Sequence, residues 1–380
     1  CPNQRHGRRL QRQPREAADL VVCLRRPQAG RDVFELSLRS QIPGEEYEAR
    51  DFGHFDLDGQ ELPSYLAAAL DPSFARFPGA HLAENAFDLA LAAWNVDFLA
   101  TLADLGKQLW LHLPPAFRAE YLRLMALDHP PRSLFIFSDE LSFPWEIVRP
   151  SGQINGAYCE LPPLGVSHLL GRWRPGTGAR PQPQALPVNR MTIVVPGAAY
   201  SGLPWAADEV QQLRALLPFA ERLTPVTRRR LNQLLSDGDA QIVHFSGHGA
   251  VGTNADLTAL ELEGGESITA MAFAANRLGS TQQPLLFLNA CTVGRGGRVL
   301  GSAGGFAGNC IEAGWSGVVA PYWPVLDSSA AVFGVAFYRK LKAGRSIGEA
   351  LGELRREASD DPTALAYAYF GDPFARVLFG

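Results

Sequence analysis

Beyond about residue 190 the sequence alternates short apolar runs with stretches of helical periodicity. MTIVVP gives way to WAADEVQQLRALL and RRRLNQLL, and then AQIVHFSG, PLLFLNAC and SGVVAPYW follow. This alternation restricts the fold more than any other feature. Runs apolar at every position read as strands covered on both faces, and parallel neighbours need the long crossovers that the helical stretches supply. The pattern predicts an α/β fold with a mainly parallel sheet sandwiched by helices. Two further helices, SSAAVFGVAFYRKLKAG and SIGEALGELRREAS, are expected near the C-terminus.

The residues upstream follow a different rhythm. From Asp19 to about Val148 a strand-like run, VFELSLRS, precedes helical periodicity in LPSYLAAAL, AFDLALAAWNVDFLATLADLGKQLWLHL and AFRAEYLRLMAL, and SLFIFSD closes the region as a buried strand. RWRPGTGARPQPQALPV concentrates proline and glycine and reads as a linker. The expected organisation is a tail over 1–18, a helix-rich α/β non-catalytic domain over 19–171, a linker over 172–188, and the chemistry-bearing α/β domain over 189–380. A chain of 380 residues, 46% of them hydrophobic, has material for about two cores. No repeat of solenoid period is visible.

Composition narrows the function classes. A net charge of −4, with both signs interspersed, gives no field suited to a phosphate backbone, so no direct nucleic-acid partner is expected. No membrane association is expected either, because apolar runs such as PLLFLNAC stop well short of a span. The Arg-rich start lacks the apolar block of a secretory signal. Five cysteines, odd in number and without a CxxC pair, supply neither a disulfide framework nor a zinc site, and they fit a reducing cytoplasm. No metal or cofactor is implied: Gly301-Ser302-Ala303-Gly304-Gly305 is not followed by GKS or GKT. The chain opens at Cys1 rather than Met, and an upstream sensor or scaffold module is expected.

Two strands end in chemistry. Gln241 to Phe245 is expected to run into a loop, Ser246-Gly247-His248-Gly249, and Leu285 to Leu288 into Asn289-Ala290-Cys291. Reactive groups in open α/β sheets collect beyond the carboxyl ends of strands. A thiol becomes an effective nucleophile when an imidazole takes its proton. If the strands are neighbours, His248 is the base for Cys291, and the backbone N–H groups of Gly249 and Cys291 are placed to hold an oxyanion. Taken singly, a loop histidine and a cysteine after an apolar strand are usually structural. Their equivalent positions are what point to a site.

These residues resemble the CHAT domains, caspase-like peptidases of bacteria related to caspases and separase. The resemblance rests on VHFSGHG around His248, LFLNACTVG around Cys291, FAGNCIEAGWSGVVAPYWPV, AFYRKLKAGRSIGEALGELR and YFGDP, with SDELSFPWEIV upstream. It implies a caspase-like fold for 189–380, a pseudo-caspase-like character for the preceding domain, and a cysteine endopeptidase whose catalytic dyad is His248 and Cys291. It also implies a protein substrate and signal-activated work in defence or cell death, in CRISPR-associated or gasdermin-associated settings. The alternative is a catalytically idle module that only binds peptides. No third catalytic member carries over. Asn289 and Thr292-Val293-Gly294 depart from the caspase form and put its aspartate preference in doubt.

Other residues have plainer roles open to them. Trp323 is either a wall of the substrate pocket or a core residue. Asp327 either orients substrate or reads a basic side chain, against the commoner role of helix N-cap. His244 reads as a satisfied core histidine, Cys310 as a buried helix residue, and Arg228 to Arg230 as a solvated helix face. The stretches Thr292 to Gly308 and Gly252 to Leu257 flank the dyad and are the expected sites of activation.

Overall fold

The computed structural model of the chain describes residues 16–27, 33–78, 84–174, 183–197, 202–250, 257–274, 276–291 and 302–380. Their strands are β1 (Leu20–Arg25), β2 (Phe34–Ser40), β3 (Tyr47–Phe55), β4 (Ser133–Ser138), β5 (Ser151–Ile154), β6 (Ala157–Glu160), β7 (Leu169–Trp173), β8 (Ala185–Val188) and β9 (Met191–Val194). They continue with β10 (Ala220–Arg222), β11 (Ile242–Ala250), β12 (Ala259–Glu261), β13 (Ser267–Thr269), β14 (Leu285–Cys291), β15 (Gly317–Pro321), β16 (Tyr367–Gly371) and β17 (Arg376–Phe379).

One sheet carries most of them, in the order β10-β9-β11-β14-β15-β16-β7-β4-β1-β2-β3, with β12 attached to β11 and β13 to β12. Along this path pairing is parallel except at β15–β16, β1–β2 and β2–β3. The fold is thus the mostly parallel, helix-flanked sheet that the apolar runs predict. The sheet also runs through the junction between the two halves of the chain. β7 pairs with β4 on one side and β16 on the other, and β8, within 172–188, pairs with the C-terminal β17. Residues 175–182 lie outside the described residues.

The central strands owe their place to apolar side chains on both faces. Leu285, Leu286, Phe287 and Leu288 of β14, and Ile242, Val243 and Phe245 of β11, are all buried. Helices Pro204–Leu216 and Asp327–Lys342 pack against each other, and the second lies against β14. The first opens with a proline, Pro204, at a position where the missing N–H costs nothing.

The longest helix, Glu84–His112, departs from the sequence reading in one respect. Its segment Phe87–His112 is long and apolar enough to cross a membrane by length and composition. Trp94, Phe98, Leu102, Leu105 and Leu109 recur at helical spacing and are buried in the protein core, where Phe98 meets Trp323 edge to face at 6.0 Å. Leu89, Val96 and Leu111 face outward.

Candidate active site

β11 and β14 are adjacent and parallel, and their register runs from Ile242 opposite Leu285 to His248 opposite Cys291. The outer neighbours pair over a shorter length. β9 reaches only Val194, opposite Phe245, and β15 pairs with β14 only as far as Val319, opposite Phe287. The last residues of β11 and β14 therefore form a ledge beyond those two neighbours, with His248 and Cys291 side by side on it. This corrects the expectation that the strands stop at Phe245 and Leu288. Each chain end continues the ladder because the other supplies its backbone partners, and the polar Ser246 and Asn289 are buried within it.

Beneath the ledge lies a buried polar cluster. Asn289, two positions before Cys291, donates through Nδ2 to Glu209 Oε1 and to the Ala330 carbonyl, each at 2.9 Å. Its Oδ1 accepts a hydrogen bond from the Tyr367 hydroxyl. The same Glu209 oxygen lies 3.2 Å from His244 Nε2, and His244 Nδ1 is 3.3 Å from the Tyr338 hydroxyl. His244 also stacks on Phe287 at 5.1 Å. Glu209 and His244 are completely buried. A Cβ at Gly334, on the facing helix, would stand 2.4 Å from Glu209 Oε1, so the glycine makes room for that carboxylate. His244 is thus a core histidine, but it is not fully satisfied: its Nε2, beside the Glu209 carboxylate, makes no hydrogen bond among the described residues. The sequence signal for Glu209 is its place on the buried stripe of its helix with Ala206, Val210 and Leu213, where a carboxylate is out of place.

Asp327 occupies the first turn of the Asp327–Lys342 helix rather than its cap position, which Leu326 takes. Its Oδ2 accepts from the Trp205 N–H at 3.0 Å, so the carboxylate caps the neighbouring helix Pro204–Leu216 instead. Burial raises the Asp327 pKa; the Trp205 hydrogen bond and the nearby His248 act the other way, and Glu209 adds to the rise. Asp327 is therefore within electrostatic reach of the His248 ring.

Trp323 is buried against Phe98. Gly249 belongs to β11 and pairs with Leu260 of β12. Cys310 is fully buried, and burial pushes its thiol well above the ordinary range. Arg228 to Arg230 open a helix with their side chains exposed. Of the two expected activation segments, 252–256 and 292–301 lie outside the described residues, while 302–308 fall within the helix Ser302–Ala313.

The sheet order and the parallel register at its centre define a caspase-like α/β fold. The chain belongs to the CHAT domain family, whose model matches residues 164–370. Among solved structures it is similar to the Saccharomyces cerevisiae separase–securin complex, with a TM-score of 0.55, 12% identity, and coverage of 95% of this chain and 30% of that one. It is also matched to the complex of Porphyromonas gingivalis RgpB pro- and mature domains, at a TM-score of 0.41 and 12% identity over 82% of this chain and 77% of that one. The Drosophila initiator caspase Dronc gives 0.32 and 8% identity over 51% and 82%. The likeness to separase is one of fold, and this chain spans less than a third of that protein's chain. No curated protein sequence matches the chain.

Proposed function

We propose that the chain is a cysteine endopeptidase in which His248 is the general base and Cys291 the nucleophile. The observation that carries this reading is their register: the two residues stand opposite each other at the projecting ends of adjacent parallel strands, in a chain of the CHAT family. His248 takes the thiol proton, and the thiolate attacks the peptide carbonyl. The oxyanion is held by the backbone N–H groups of Gly249 and Cys291. The imidazolium then returns the proton to the leaving amine, and water hydrolyses the thioester to free the enzyme. In this reading Asp327 orients substrate or reads one of its basic side chains.

In this reading the substrate is one or a few protein partners, and an upstream sensor or scaffold module controls activity as part of a cytoplasmic defence or cell-death response. The test compares new protein N-termini formed in a cell extract by the wild type, Cys291→Ala and His248→Ala. Cleavage is expected only with the wild type, with thermal stability preserved in both variants. Normal cleavage by either variant would remove the dyad.

A further inference from the structure

A cavity of about 350 Å³ opens on the side of the molecule where the helix Glu84–His112 approaches the helix Ile347–Glu357. Its apolar wall includes Leu99, Leu102, Ile147 and Val166, and its charged lining residues are Arg149, Arg355 and Arg356, with no carboxylate among them. Volume and lining are those of a small-molecule site, mostly apolar with a few placed polar groups.

The charge balance behind this wall is uneven. Arg355 is 3% exposed; it donates to the Gly165 and Tyr367 carbonyls at 3.0 and 2.7 Å and has no carboxylate in hydrogen-bonding contact among the described residues. Among the described residues the buried carboxylate nearby is Glu146, and it is engaged by Arg172, which also donates to the Phe143 carbonyl at 2.7 Å. Two buried guanidiniums therefore share one buried carboxylate, and a buried charge without a counter-charge is costly. The Nε atoms of both Arg149 and Arg355 are buried without a hydrogen-bond partner among the described residues. Burial lowers the Arg355 pKa to about 10, which leaves it charged at neutral pH.

We propose that this cavity binds a small amphipathic anion, a carboxylate or phosphate head carried on a short apolar body. The head meets Arg149, Arg355 and Arg356, and the body lies along Leu99, Leu102 and Val166. Anions hydrogen-bonded to arginine in a partly dry site gain more than surface ion pairs do. The site stands apart from the dyad, and it does not depend on the chain being a peptidase.

The test is calorimetric titration of the full chain with n-octyl phosphate, octanoate, n-octanol and inorganic phosphate. Saturable one-to-one binding of at least one of the two amphipathic anions is expected, tighter than that of octanol or inorganic phosphate; which anion binds better distinguishes the phosphate from the carboxylate source. Arg149→Ala and Arg356→Ala are each expected to weaken binding about tenfold, and Ala103→Trp, which fills the cavity, to abolish it. Thermal unfolding of each variant without ligand reports whether it folds. Binding of octanol as tight as that of the anions, affinity unchanged in folded arginine variants, or no saturable binding of either anion would each overturn the proposal.

Discussion

At the residue scale, buried titratable groups give this protein a readable acid response. His168 follows the short helix Leu164–Ser167 and is buried, with Nε2 2.7 Å from the Tyr121 hydroxyl. Burial holds its pKa down to about 4. A histidine depressed in this way binds a proton in the unfolded chain before it does in the native one. Stability therefore falls as the pH drops from about 6.5, the unfolded value, to about 4, and levels off below. The loss attributable to this group is about 3 kcal/mol. Urea unfolding of the wild type and of His168→Gln between pH 8 and pH 4 should show a shallower acid decline in the variant. Parallel declines would remove His168 from the account.

At the element scale, the ledge depends on two helices that hold its underside. Helices Pro204–Leu216 and Asp327–Lys342 meet where Gly334 faces Glu209, and Asp327 caps the first helix from the second. Gly334→Ala should destabilise the protein by about 1–3 kcal/mol, because the new methyl group displaces a buried carboxylate that also anchors Asn289. The same change should lower cleavage by more than the fraction unfolded explains, since Asn289 is two positions from Cys291. Denaturant unfolding and turnover measured on the same preparation check both parts. A Gly334→Ala protein with wild-type stability would show that the helices separate at little cost.

At the scale of the whole molecule, the two halves share one sheet. Arg172 of β7 is opposite Ile136 of β4 and Phe370 of β16, and its guanidinium engages Glu146 and the Tyr322 hydroxyl, tying both halves together. Unfolding is expected as one transition. The reporters divide conveniently, with Trp94, Trp110, Trp145 and Trp173 on one side of the junction and Trp205, Trp315 and Trp323 on the other. Arg172→Ala removes the guanidinium that hydrogen-bonds Glu146 and Tyr322 and leaves Arg355 as that carboxylate's buried counter-charge, so it should cost less than the roughly 3–5 kcal/mol of an unpaired buried ion while lowering the midpoint seen from both sides equally. Two separated fluorescence transitions would mean that the halves melt independently.

The fold class is legible in the local apolar pattern of the chain, and the same pattern points to the residues of the candidate dyad. Parallel strands buried on both faces must be apolar throughout, and such runs are local, so MTIVVP, IVHF and LLFL could be read without a partner. The adjacency of His248 and Cys291 was a condition that only strand order could meet. Tertiary structure decided three further things: that β11 and β14 extend past their neighbours, that Glu209 lies under Asn289, and that Asp327 caps a helix other than its own. Each depends on contacts between residues far apart in the chain, 80 positions for Glu209 and Asn289 and 122 for Trp205 and Asp327. A carboxylate on an apolar stripe signals that a partner exists. It does not say which one, because hydrogen-bond partners are chosen by packing, and packing is settled only when the helices meet the sheet.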